Sequence, residues 1–203
     1  MSNSVSRVPY QEAARSLLRD SVLDSMRELL GERDWNKITL SDISKRAGVS
    51  RQTLYNEFNS RLGLTQAYAL RLADQFVDHV EGAIRSNEGN VRAAIAEGLQ
   101  GFFMDSASEP LILSLLSGDV KPDLLRLITL DAGPLIVHAR TRLADTFQNS
   151  WIDTSRANGE RLATALVRLA LSYIGIPPES FVDVAADLAA LFGPYVDEVS
   201  AAG

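Results

Sequence analysis

A chain of 203 residues, 46% of them hydrophobic and 23% charged, is long enough to bury a substantial core in one or two domains. It has no cysteine, which excludes disulfides, thiol catalysis and cysteine-ligated metal, and no apolar run approaches the roughly 18 residues of a membrane span. The net charge of −6 is unevenly divided: residues 1–65 carry ten Lys/Arg against eight Asp/Glu, and residues 66–203 carry ten against eighteen. An opening that reads MSNSVSRVPYQ lacks the apolar stretch of a secretory signal, so a cytoplasmic protein is expected.

Residues up to about Pro9 read as a disordered arm. A first helix follows to about Leu30, with Ala14, Leu17, Leu18, Val22, Met26, Leu29 and Leu30 at helical spacing and Gly31 as its stop. Trp35 is expected to pack beneath the segment that comes next, ITLSDISKRAGVSRQTLYNEF from Ile38 to Phe58. Thr39 and Asp42, three apart, form a capping-box start, and Ile43 and Ala47 fall on one stripe. Gly48 suits the left-handed turn that ends a helix, Val49 plugs the corner, and Ser50 caps a second helix that buries Leu54 and Phe58. Two short helices joined by a turn of about three to four residues containing Gly make a helix-turn-helix.

The second of these helices turns a polar side outward. Opposite Leu54 and Phe58 stand Gln52 and Asn56, flanked by Thr53 and Tyr55, with Arg51 in the first turn. Amides pair bidentately with adenine, arginine pairs with guanine, and threonine meets a thymine methyl or a phosphate. Five basic residues (Lys37, Lys45, Arg46, Arg51, Arg61) against Asp42 and Glu57 make the local field positive despite the acidic whole. Glu57 is the one expected electrostatic cost on this face, unless it meets a cytosine amine.

Asn59-Ser60 interrupt, and a long amphipathic helix is predicted from Arg61 to about Arg85, then a loop over Asn87 to Asn90. A helix from Val91 to Met104 carries Ile95, Leu99, Phe102 and Phe103, and its Gly98 and Gly101 permit close approach of another helix or a ligand. Pro110 opens a short helix to about Leu116, stopped by Gly118; Pro122 opens the next, which Gly133-Pro134 kinks or breaks before it continues to about Phe147. No segment alternates with period two between hairpin turns, so no strand is expected.

The last two helices, about Ser155–Ile174 and Glu179–Val199, are separated by Gly175 and Pro177-Pro178 and are apolar on nearly every side. Such helices need cover all round. In a chain of this size the expected cover is a second copy, giving a homodimer through residues 155–199, with a fully internal position for these helices as the alternative.

The first helix, the ITLSDISKRAGVSRQTLYNEF block and Arg61 resemble the TetR family of bacterial transcriptional regulators, the resemblance spanning roughly residues 10 to 70. Ile43, Ala47, Gly48, Val49, Ser50, Thr53, Leu54, Tyr55 and Phe58 carry it. It implies an all-α fold: a three-helix helix-turn-helix head over residues 1–60, and a helical ligand-binding and dimerisation core over 61–203. It also implies that Thr39, Ser50, Arg51, Gln52, Thr53, Tyr55, Asn56 and Arg61 touch DNA, with Tyr55 and Arg61 on phosphates and Arg51, Gln52 and Asn56 nearer the bases. The departure is Arg61-Leu62-Gly63 where members often have Lys-Glu-Ala: the charge is kept, and Gly63 loosens the helix start.

A small-molecule pocket is implied in the core. Its apolar candidates are Phe76, Val80, Leu99, Phe103, Leu127, Leu130, Ile136, Leu169 and Tyr173, and His79, His138, Arg140 and Tyr173 are candidate polar groups. Abundant aliphatics point to an apolar or amphipathic ligand. His79 and His138 belong to no metal-spacing motif, and there is no phosphate loop or nucleophile elbow, so no enzyme, cofactor or metal is expected. The leading reading is a dimeric repressor released from its double-stranded operator by a small molecule. The alternative is a small-molecule-binding or interaction protein that keeps a helix-turn-helix without using it on DNA.

Overall fold

The computed structural model describes residues 10–117 and 121–201. The expected N-terminal arm and the expected stop at Gly118 lie outside the described residues. Those described form ten α-helices and one 3-10 turn, with no strand among them. The chain divides into two compact units, Met1–Ala67 and Tyr68–Gly203, so the division falls inside a helix, seven residues later than the boundary expected at residue 60.

The first unit holds α1 (Tyr10–Glu32), a 3-10 turn (Trp35–Lys37), α2 (Leu40–Arg46), α3 (Arg51–Phe58) and the first turns of α4 (Arg61–Ser86). Trp35, Ile38, Met26, Ile43 and Leu54 are fully buried. The apolar stripe of α1 is shorter than expected. It starts at Val22, whereas Leu17 is 71% exposed and Ala14 is exposed, because only the second half of α1 is packed over. Gly31 lies within the last turn of α1, which runs on to Glu32. Arg46 at the end of α2 reaches Glu28 (3.1 Å) and Glu32 (2.8 Å) and ties α2 to α1.

The second unit holds the rest of α4 with α5 (Val91–Ser108), α6 (Pro110–Leu116), α7 (Pro122–Ile128), α8 (Gly133–Gln148), α9 (Arg156–Gly175) and α10 (Phe181–Ala201). Here α5 packs along α10, and α8 along α9. The close approach expected at Gly98 and Gly101 is made by α4: an added Cβ would stand 2.9 Å from the backbone of Val80 and 2.8 Å from Nδ1 of His79. Between Pro122 and Phe147 the chain breaks rather than kinks. A turn separates α7 from α8, and Arg126 clamps it through two hydrogen bonds to Asp131 (2.9 and 3.0 Å).

The helices that looked apolar all round do have an inside. On α9, Leu162, Ala163, Leu166, Val167 and Ala170 are buried within the chain's own core, while Leu169 and Tyr173 are half-buried. Apolar surface left outside includes Ile176 (79% exposed), and on α10 Val182 (51%) and Leu191 (71%). A buried Leu166 cannot itself meet a second copy; the outward residues can. Among the described residues no helix is long and apolar enough to cross a membrane.

Candidate functional sites: the reading helix and an apolar cavity

The capping box, the glycine turn and the serine cap expected in the helix-turn-helix segment are all present. The Thr39 hydroxyl accepts from the Asp42 backbone N–H (3.2 Å), and the Asp42 carboxylate accepts from the Thr39 N–H (2.9 Å), closing the capping box. The Thr39 hydroxyl also donates to the Asp42 carboxylate at 2.7 Å, and this bond first, then the one from the Thr39 N–H, holds the Asp42 carboxyl below its ordinary range. Gly48 takes the left-handed backbone, φ +67°. Ser50 Oγ accepts from the Thr53 N–H at 2.9 Å and starts α3, a cap of the kind worth about 1 kcal/mol.

On α3, Leu54 and Phe58 are buried and Arg51, Gln52, Tyr55 and Asn56 are exposed, with Thr53 half-buried and hydroxyl-bonded to Ser50 (2.8 Å). Gln52 Nε2 donates to Asn56 Oδ1 at 2.8 Å, so the two amides at the centre of the face form one unit. Thr39 and Ser50 are also exposed. Arg61 is half-buried: its guanidinium lies 3.8 Å from the centroid of the Trp35 ring and donates to the Trp35 carbonyl at 2.6 Å.

Glu57 does not sit on the reading face. It accepts from Arg15 (2.9 and 3.0 Å) and Arg19 (2.5 Å), which removes the electrostatic cost expected of it. Burial works to raise its carboxyl, but hydrogen bonds and charge from the two arginines prevail and hold it below its ordinary range. The exposed first half of α1 thus serves to neutralise α3. Its signal in the sequence was the pair Arg15 and Arg19, four apart on one helix side.

Gly63 has a steric role rather than a loosening one. A Cβ there would overlap the carbonyl oxygen of Phe58, so only glycine lets α4 start this close behind α3. The intervening Asn59 has φ +61°.

The second unit encloses a cavity with about 670 Å³ of empty space, counting its opening. Its seventeen wall residues are all Ala, Leu, Ile, Val or Phe. They come from α4 (among them Leu72 and Phe76), α5 (Phe102), α6 (Leu111, Ile112, Leu115), α7 (Leu124, Leu127, Ile128), α8 (Leu135, Ala139) and α9 (among them Val167 and Ala170). Of the sequence candidates, Phe76 and Leu127 are in this wall. Val80 and Leu99 line a smaller void elsewhere in the core, and Phe103 is buried between Tyr173 and Phe181. Leu130 is 78% exposed after α7, and Ile136 and Leu169 are half-buried against the core.

The polar candidates lie outside that wall. His79 faces Asp105 (3.0 Å), His138 faces Asp74 (2.6 Å), and Arg140 is half-buried on α8. Asp74 also receives Arg142 (2.5 Å), which reaches Asp78 as well (3.0 Å). What sequence reasoning missed is the contribution of α6 to the wall, although the helix itself was expected. Its segment PLILSLL is apolar through almost every position, and that composition, rather than a periodicity, was the available sign.

Two family models match the chain: "Bacterial regulatory proteins, tetR family" over residues 22–68 and "Bacterial Tetracyclin repressor, C-terminal domain" over residues 90–194. The chain is 54% identical over 193 residues to the HTH-type transcriptional regulator AlkX of Mycobacterium tuberculosis, covering 95% of this chain and 92% of that one. Among solved structures, the TetR family repressor AlkX of Dietzia sp., implicated in biodegradation of n-alkanes, superposes with a TM-score of 0.84 at 40% identity, over 90% of this chain and 96% of that one. A tetR-family regulator from Streptomyces coelicolor shares the fold at 17% identity and a TM-score of 0.58, over 91% of this chain and 84% of that one.

Proposed function

Because the chain belongs to the TetR family of bacterial regulatory proteins, we propose that it is a homodimeric transcriptional repressor in the cytoplasm that leaves its operator when an apolar or amphipathic small molecule fills the α4–α9 cavity. In this reading residues 1–60 are the DNA-binding domain and 61–203 the ligand-binding and dimerisation domain. The observation that carries it is the pairing, in one chain, of an exposed amide-centred face on α3 with a cavity whose described wall residues are all apolar.

On DNA, α3 enters the major groove. Gln52 and Asn56 meet base edges with Arg51 beside them, while Thr39, Ser50, Thr53, Tyr55 and Arg61 hold the backbone. Two such heads must reach half-sites about 34–36 Å apart or a multiple of it, which is what a dimer through residues 155–199 provides. The partner meets the outward side of α9 and α10, where Leu169, Tyr173, Val182 and Leu191 stand.

In the cavity, an apolar wall rewards buried methylene groups at roughly 0.8 kcal/mol each and offers nothing to a charged group. An aliphatic effector fits that chemistry, and the Dietzia repressor's link to n-alkanes supports it. Phe76 and Leu127 are its contacts among the residues anticipated from the sequence, with Leu72, Leu111, Ile112 and Val167 added. Helix α4 carries both Arg61 and the wall residues Leu72 and Phe76, so it is the element that a filled cavity displaces.

The test is fluorescence anisotropy with duplex DNA from upstream of the chain's own gene, at several salt concentrations, beside a shuffled duplex. The proposal expects tight, salt-dependent binding of the upstream duplex and weak binding of the shuffled one. Equal affinity for both would favour instead a protein that keeps its helix-turn-helix without using it on DNA.

A further inference from the structure

A second cavity adjoins the first. Its walls are Ser106, Ala107, Ile112, Leu113, Leu116, Ile174, Pro177 and Phe181, with about 500 Å³ of empty space counting its opening. Ile112 and Ile174 line both cavities and are buried, so the two cavities share a wall at these isoleucine side chains. The described wall residues of the two cavities differ in exposure. No wall residue of the first is exposed, whereas Ala107, Leu113, Leu116 and Pro177 of the second are. Exposed leucines at 49% and 41%, set round an opening, are an apolar mouth rather than scattered surface residues. Among the described residues of the two walls, Ser106 is the only one with a polar side chain.

We propose that the effector is a long aliphatic chain that threads both cavities, its apolar end in the inner one and its polar end toward Ser106 and the Leu113–Leu116 mouth, with Ile112 and Ile174 as the constriction that decides chain length. This rests on the reading of the inner cavity as the effector site. The physical argument is that the described wall of the inner cavity offers no partner for a polar end, so an amphipathic chain keeps that end elsewhere or pays its desolvation. The second cavity shares Ile112 and Ile174 with the inner one, is apolar along its described walls and carries the Ser106 hydroxyl, so it offers that place. Both partition residues are aliphatic side chains with two rotatable bonds, so a chain passes by rotamer change without movement of α6 or α9.

The experiment uses the full-length protein and the straight-chain 1-alkanols from six to sixteen carbons, measured by displacement of the apolar fluorophore N-phenyl-1-naphthylamine. While a chain fills apolar space, each added methylene should tighten binding about fourfold. In the wild type that climb continues past the length that fills the inner cavity. In Ile174→Phe, which thickens the partition, it stops there: short alkanols bind as in the wild type and long ones lose tenfold or more. Ile112→Ala, which thins the partition, extends the climb or leaves it intact and speeds association of long alkanols in stopped flow. A wild-type climb that ends at the same length as in Ile174→Phe overturns the threading, while short-chain binding still stands for the inner site. Failure of short alkanols to bind the wild type, or their undiminished binding to Ala139→Trp, which fills the inner cavity, overturns the effector site itself and the threading with it.

Discussion

Gln52 and Asn56 are hydrogen-bonded to each other across 2.8 Å on the exposed side of α3, Nε2 of the first donating to Oδ1 of the second. The bond leaves Gln52 with a free carbonyl and one amide hydrogen, the acceptor–donor combination that an adenine edge requires. Asn56 keeps both amide hydrogens and fixes its neighbour's orientation. Gln52→Ala and Asn56→Ala should each weaken cognate binding by about 1–3 kcal/mol. The double variant should lose less than the sum, because each single change already breaks the shared contact. Anisotropy titrations on the four proteins check this; strictly additive losses would mean that the pair does not act as a unit.

Arg61 is held by Trp35 through its ring face and its carbonyl, which positions one cation at the start of α4. Arg61→Ala should weaken all DNA sequences alike and reduce the salt slope by about one. Arg61→Lys should restore the slope, since the charge returns. It should not restore the contribution of about 0.5–2 kcal/mol that a planar guanidinium makes over an indole. Salt-dependent binding and urea denaturation of the two variants separate these effects.

Gly63 is expected to resist the smallest substitution. A methyl placed against the Phe58 carbonyl must push the start of α4 away from the end of α3. Gly63→Ala should therefore cost about 1–3 kcal/mol, the usual range for overpacking, although alanine is the better helix former. A denaturation midpoint that rises instead would show the contact relaxes freely.

Glu57 gives the head an acid-sensitive joint. Its carboxyl is held below the ordinary value of about 4.5 despite burial, by the two arginines of α1. A group with a depressed folded-state pKa stabilises fully above its unfolded value and loses that contribution as pH falls through the folded one. Glu57→Gln should lose roughly 1 kcal/mol at neutral pH, as a partly exposed pair does, and should lose less additional stability than the wild type below pH 4.5. Parallel acid limbs in the two proteins would remove Glu57 from the pH response.

The helix-turn-helix was legible because its determinants are local. The Thr39–Asp42 box, the left-handed Gly48 and the Ser50 cap each act within four residues, and the outward side of α3 follows from helical geometry alone. Glu57 was misplaced because its partners are on α1, about forty residues away, and no short-range pattern announces them. The cavity was less legible for the same reason on a larger scale. Its wall takes from one to four residues from each of six helices, and whether Leu99 or Leu111 faces it depends on how those helices are rotated in the core. His79 and His138 looked suited to a pocket by type, yet both pair with aspartates outside the wall.

The central claim, that filling the cavity and releasing DNA are one equilibrium, is tested most directly by titrating 1-decanol into the free protein and into its complex with the upstream duplex. Linkage requires that operator DNA weaken alkanol binding by the same factor by which the alkanol weakens DNA binding. A coupling of about 1–3 kcal/mol, a factor of roughly 5 to 150, is the predicted result. Identical alkanol affinities in the two titrations would contradict the claim, because a ligand that does not distinguish the two states cannot shift the balance between them.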